Sequence, residues 1–182
     1  MENTSNTNRS KSPLDTLNIV IAHDSHPPFD VEAIALEEDT ALILSADTVI
    51  KETKDHPIRL MTELYNFKEK TPGSVVVKGK NPYRFLAIVH DLEREPSCEE
   101  EWIDNALNQI FYLCRKSGIK SLGLQLLGTR YGPVKYNWIL DRIRSILIKE
   151  ANSQLKNLWI MMPDNFNSSE VSIDKVLELI QH

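Results

Sequence analysis

Apolar positions along this chain follow two rhythms. Up to His90 they come mainly as short runs; after Ser97, helical spacing alternates with short runs. Leu17 to Ala22, with Ile19, Val20 and Ile21 at its centre, predicts a strand ended by Pro27-Pro28. Val31 to Leu36 predicts a second, buried strand. Thr40 to Ala46 is a third apolar run, either a strand or a packed loop. Asp47 is a candidate cap for a helix from Thr48 to about Phe67, broken or restarted at Pro57. After the Pro72-Gly73 turn, Ser74 to Lys78 predicts a strand, and Asn81-Pro82 turns the chain again. Phe85 to His90 is apolar until its last residue, as expected of a central strand covered on both faces.

Ser97 and Glu100 have capping-box spacing, and Glu99, Glu100 and Glu101 favour the positive end of a helix dipole. Ile103, Leu107, Ile110, Phe111 and Cys114 then recur at helical spacing, with Gly118 as the stop. Ser121 to Leu127 predicts a strand, residues 128–133 a loop, and Ile139, Ile143, Ile146 and Leu147 the buried face of a helix. Leu158 to Met162 predicts the last strand. Asn167 and Glu170 are candidate caps for a final helix with Ile173, Val176, Leu177 and Ile180 on one face. Alternating strands and helices in the second half require crossovers and a parallel centre. The Pro/Gly-separated strands in the middle suggest an antiparallel pair. The expectation is an α/β fold: a three-layer α/β/α sandwich with a mixed, centrally parallel sheet.

The length, 182 residues, suits one domain, expected over residues 17–182. Residues 1–16 are rich in Asn, Ser and Thr and are expected to be a disordered polar tail. A net charge of −5 argues against a dedicated nucleic-acid binder. No stretch approaches the ~18 apolar residues of a membrane span, and the polar N-terminus has no secretory h-region. Two cysteines make neither a disulfide framework nor a four-cysteine zinc site. A cytoplasmic protein is expected.

Candidate chemistry concentrates in Leu127-Gly128-Thr129-Arg130-Tyr131-Gly132-Pro133, between a strand and a helix. Its glycines permit positive φ and a close approach of ligand to backbone, and a helix N-terminus attracts anions. A tight strand-to-helix turn without a ligand has the same signature. His23, Asp24 and His26 share a proline-bounded turn but lack a fourth distant metal ligand. His90, at the end of a buried strand, reads as a hydrogen-bonded core residue. Cys98 falls where a helix dipole could lower its pKa, yet no paired histidine is apparent, and Cys114 reads as core.

The ordered set of these blocks resembles the macro domain family. Ile19 to Asp39 is similar to its first two strands, where a Gly-Asp-Ile-Thr turn precedes Asp-Val-Asp-Ala-Ile-Val-Asn-Ala-Ala-Asn. Pro72-Gly73-Ser74-Val75 is similar to its Thr-Gly-Glu-Ala segment, and Phe85 to His90 to its Tyr-Val-Ile-His strand. Residues 127–132 are similar to its Gly-Thr-Gly-x-x-Gly phosphate loop. The resemblance implies a module for ADP-ribose or a related diphosphate nucleotide. Asp24 would meet adenine, Asp39 the distal ribose, Gly128, Thr129, Arg130, Tyr131 and Gly132 the phosphates, and Phe166 the adenine ring. The departures are as informative. Leu36-Glu37-Glu38-Asp39 replaces Asn-Ala-Ala-Asn, and the glycine-rich loop is replaced by Thr40 to Ala46. Hydrolysis of ADP-ribose linkages relies on those elements in the family, so a non-catalytic binder without cofactor or metal is expected. A degenerate protein-interaction domain without a nucleotide is the alternative, and an ADP-ribosyl hydrolase the third. Arg130, in place of a glycine, either contacts phosphate, fills the cleft or forms a salt bridge.

Overall fold

The computed structural model describes residues 16–44, 68–150 and 154–162. Six strands, β1 (Asn18–His23), β2 (Ala33–Asp39), β3 (Val75–Lys78), β4 (Tyr83–His90), β5 (Ser121–Gln125) and β6 (Asn157–Met162), alternate in their second half with helices α1 (Glu100–Ser117) and α2 (Tyr136–Lys149). They form one sheet in the order β1-β6-β5-β2-β4-β3. Every neighbouring pair is parallel except β3 with β4. The mixed, centrally parallel sheet and the antiparallel middle pair are as the periodicity predicts. No helix among the described residues is long and apolar enough to cross a membrane. The tail before Thr16, the helix expected over 48–67, Phe166 and the final helix lie outside the described residues.

The core follows from strand alternation. Ala33 and Ala35 of β2 and Phe85, Ala87 and Val89 of β4 face the cluster that contains Ile103, Leu107 and Ile110 of α1 and Ile139 and Ile143 of α2. Each such Leu or Ile contributes about 1.5–3 kcal/mol relative to exposure. Leu86 and Ile88 point the other way and are equally buried, so β4 is covered on both faces, as a three-layer sandwich requires. Gly118 ends α1 in the left-handed region (φ 66), its N–H donating to the Arg115 and Cys114 carbonyls.

Several local expectations are corrected. The Ser97–Glu100 capping box does not form: the N-cap is Glu99, and no side chain caps the helix. The chain enters α1 instead through a backbone bond from Asp91 N–H to the Ser97 carbonyl, while the Glu99 side chain accepts from Arg94. The strand expected to reach Leu127 stops at Gln125, because Leu126 already begins the following turn. The strand expected to end at Leu36 continues through Glu37, Glu38 and Asp39, all buried. Of the two readings of the run from Thr40, strand or packed loop, the described residues 40–44 take the loop, with Leu42 at φ 59.

Candidate functional site

Because β1, β6, β5, β2 and β4 run the same way, their carboxyl ends share one rim, the usual ligand edge of such a sheet. The rim gathers Asp24 after β1, Asp39 at the end of β2, His90 at the end of β4 and the turn after β5.

The turn after β2 is organised by carboxylates. Asp39 is fully buried and accepts from the N–H groups of Ala41 (2.6 Å), Ile43 (2.8 Å) and Leu44 (2.8 Å). Glu38 accepts from Asp39 N–H at 3.1 Å and Leu44 N–H at 2.8 Å. Burial alone would raise the Asp39 pKa. The N–H groups of Leu44, Ile43 and Ala41, with the Glu38 side chain, outweigh it and hold the carboxyl below its ordinary value. Asp39, expected at a ribose, is therefore turned inward onto its own loop and does not line the recess described below.

The turn after β5 is anchored differently. Thr129 directs both its N–H and its hydroxyl to the Leu126 carbonyl, and Val134 N–H closes the loop on the Gly128 carbonyl. Gly128 N–H donates to Glu37 Oε2 at 2.7 Å, and the same oxygen lies 3.1 Å from His90 Nε2. All three residues are buried. The register of β2 on β4 slips after Glu38, setting Asp39 opposite His90. A bulge of this kind re-aims a side chain, here beside Glu37. Gly128 sits at φ 76, and a Cβ there would lie 2.5 Å from Ile103 Cδ1. A Cβ on Gly132 would lie 2.8 Å from the Gly128 carbonyl oxygen. Both glycines are thus demanded by packing, whatever binds outside them. Past Thr129 the backbone opens: among the described residues, the N–H groups of Arg130, Tyr131 and Gly132 meet no protein acceptor.

Arg130 resolves as a salt bridge. Its guanidinium bonds Asp24 at 2.6 Å, joining two turns 106 residues apart in sequence. The pair walls a recess of about 10 Å³, also lined by Glu37, Gln125, Leu126, Thr129 and Met161, with room for about one water molecule. Outside the same loop lies an open groove of about 400 Å³, running from Thr129 and Gly132 to Lys135, Tyr136 and Asn137. α2 begins at Tyr136, so the loop expected over 128–133 is followed by Val134 and Lys135 before the helix starts. Lys135 is its N-cap, and its first turn carries no acidic side chain.

Of the sequence-derived site residues, Asp24, Thr129 and Arg130 meet in the recess, Gly132 lines the groove, and Gly128 and Tyr131 belong to the loop between them. Asp39 is apart, and Phe166 lies outside the described residues. Glu37 was missed as a site residue because an acidic residue after an apolar run reads as the end of a strand. The expectation of a dipole-lowered Cys98 is overturned. Burial, then the Glu37 and Glu99 carboxylates, push its thiol up to about 12. Cys114 is pushed up to about 12 by burial.

No family model matches the chain, and neither does any curated protein. Solved structures do. The macrodomain of Thermus aquaticus DarG has a TM-score of 0.55 at 18% identity, over 81% of this chain and 98% of that one. The macro domain of ganglioside induced differentiation associated protein 2 has a TM-score of 0.61 at 12% identity, over 92% and 86%. A variant of the Oceanobacillus iheyensis macrodomain, solved with ADPR, has a TM-score of 0.60 at 14% identity, over 90% and 93%. This chain has the macrodomain fold.

Proposed function

We propose that this macro-fold chain is a non-catalytic module for ADP-ribose or a related adenine nucleotide, held at the turn after β5. The observation that carries this reading is the run of open N–H groups at Arg130, Tyr131 and Gly132, beside Lys135 at the α2 N-cap. Successive backbone donors of this kind make an anion-binding concavity, and a helix N-terminus adds to it. The Oceanobacillus iheyensis neighbour, solved with ADPR, supplies the ligand class by likeness of fold. Binding adenine at Asp24 requires Arg130 to leave it, which frees a partly exposed guanidinium for the phosphates. The non-catalytic half rests on engaged carboxylates. Asp24 is paired with Arg130, Glu37 with Gly128 and His90, and Asp39 with its own turn, so none of them stands free as a general base.

A second reading, an interaction domain without a nucleotide, is favoured by the small volume of the recess. Calorimetric titration with ADP-ribose, ADP and NAD, paired with amide shift mapping, separates the two. The expected result is one saturable site with the largest shifts at Arg130, Tyr131 and Gly132. Absence of binding at millimolar ligand rejects the nucleotide module and leaves the interaction domain.

A further inference from the structure

We infer that Glu37 is the specificity-determining residue of this cleft, a built-in anion seated on the deepest donor of the β5 turn. The inference rests on the nucleotide reading above for its ligand, but not for its geometry. Gly128 N–H is the first donor of the loop, and Glu37 Oε2 already takes it at 2.7 Å. His90 holds the same oxygen from the other side at 3.1 Å. His90 Nδ1 is buried with no hydrogen-bond partner, and Arg130, the cation lining the same recess, is paired with Asp24. Glu37 is only 4% exposed, so little water screens its carboxylate from the recess that it lines.

Two consequences follow for a ligand. A phosphate cannot use Gly128 N–H without displacing Glu37, and so is confined to the outer donors at 130–132. Each further negative charge brought to the recess meets the carboxylate at short range. The cleft therefore discriminates by ligand charge: an uncharged adenosine is indifferent to Glu37, and a diphosphate is disfavoured by it.

Glu37→Gln tests this with the geometry kept. Its amide oxygen, placed where Oε2 stands, still accepts from Gly128 N–H and from His90 Nε2–H, so only the charge is removed. In the full chain, E37Q is expected to bind ADP-ribose and ADP at least about tenfold more tightly than the wild type, with adenosine changed less than about twofold. E37Q binding ADP-ribose while the wild type does not is the same result in stronger form. Equal or weaker binding of ADP-ribose by E37Q, with the wild type binding, overturns the inference and spares the nucleotide reading. No binding by either protein overturns the nucleotide reading and the specificity role together. The geometry has its own readout, amide hydrogen exchange at Gly128. Exchange is expected to accelerate at least about tenfold in Glu37→Ala and to stay slow in E37Q. Unchanged exchange in a folded Glu37→Ala protein overturns the clasp whatever the ligand does.

Discussion

The turn after β2 and the turn after β5 leave the same edge of the sheet and treat their backbone donors in opposite ways. The first spends the N–H groups of Ala41, Ile43 and Leu44 on Asp39 and Glu38, inside the protein. The second gives Gly128 N–H to Glu37 and leaves the N–H groups of Arg130, Tyr131 and Gly132 without a protein acceptor among the described residues. A buried N–H must find an acceptor, because leaving it unmade costs about 1–3 kcal/mol. One turn meets that demand with the chain's own carboxylates and, within its described residues 40–44, has no backbone donor left for a guest. The other leaves three donors unspent on protein, where a guest can meet them. On the proposed function, anion capacity falls to the second of these two turns.

The sharpest way to break the comparison is Gly128→Val. It combines a left-handed φ with a side chain driven into Ile103 and Val134. Strain and overpacking together are expected to cost about 3–5 kcal/mol. Chemical denaturation reads this directly, and a fully stable variant would mean that the second turn is not built as described. It also makes this variant a poor reporter of ligand contact, since fold and site fail together.

Asp39→Ala attacks the other turn. Losing three backbone partners of one carboxylate is expected to cost about 2–4 kcal/mol in urea unfolding. Acid should act in the same direction. The Asp39 pKa is lower folded than unfolded, so its contribution is complete above the ordinary 3.8 and is lost as pH falls through the lower folded value. Asp39→Ala should flatten that part of the stability–pH curve, and an unchanged curve would detach Asp39 from the acid transition.

Arg130→Ala should divide stability from binding. The Asp24 pair is partly exposed, so its loss is expected to cost under about 1 kcal/mol in stability. Affinity for ADP-ribose should fall by roughly 1.5–3 kcal/mol, the scale of a hydrogen bond to a charged group. Tighter binding instead would mark Arg130 as a plug. The smallest effect is a rate. Cys98 lies against the glycines of the second turn, while Cys114 lies under α1. With both thiols at about 12, native alkylation at pH 8 should be very slow for both. A nucleotide that moves the second turn should change the Cys98 rate and leave Cys114 alone.

Much of the fold was legible because periodicity is a local signal: α1 is written in Ile103, Leu107, Ile110 and Cys114. Its cap was not, because a favourable spacing at Ser97 and Glu100 carries no information on how the preceding loop enters the helix. The loop at 128–132 stood out through its glycines, though their requirement turns out to be internal. Glu37 and the Asp24–Arg130 pair were beyond reach for a common reason. Their partners lie 91 and 106 residues away, and charge complementarity at that range has no spacing to betray it.

The pairing of β1 with β6 has a consequence for how the chain is made. Among the described strands β1 is made first, yet its only neighbour among the described residues is the last of them, β6, with Asn18 bonded to Asn157 across 139 residues. At about 5–20 residues per second, that partner follows on the order of ten seconds later. Through that interval the apolar Ile19-Val20-Ile21 segment has no partner among the described strands, and any chain interrupted before Asn157 keeps it so. Prematurely terminated products should therefore associate through β1 and be sought in the insoluble fraction.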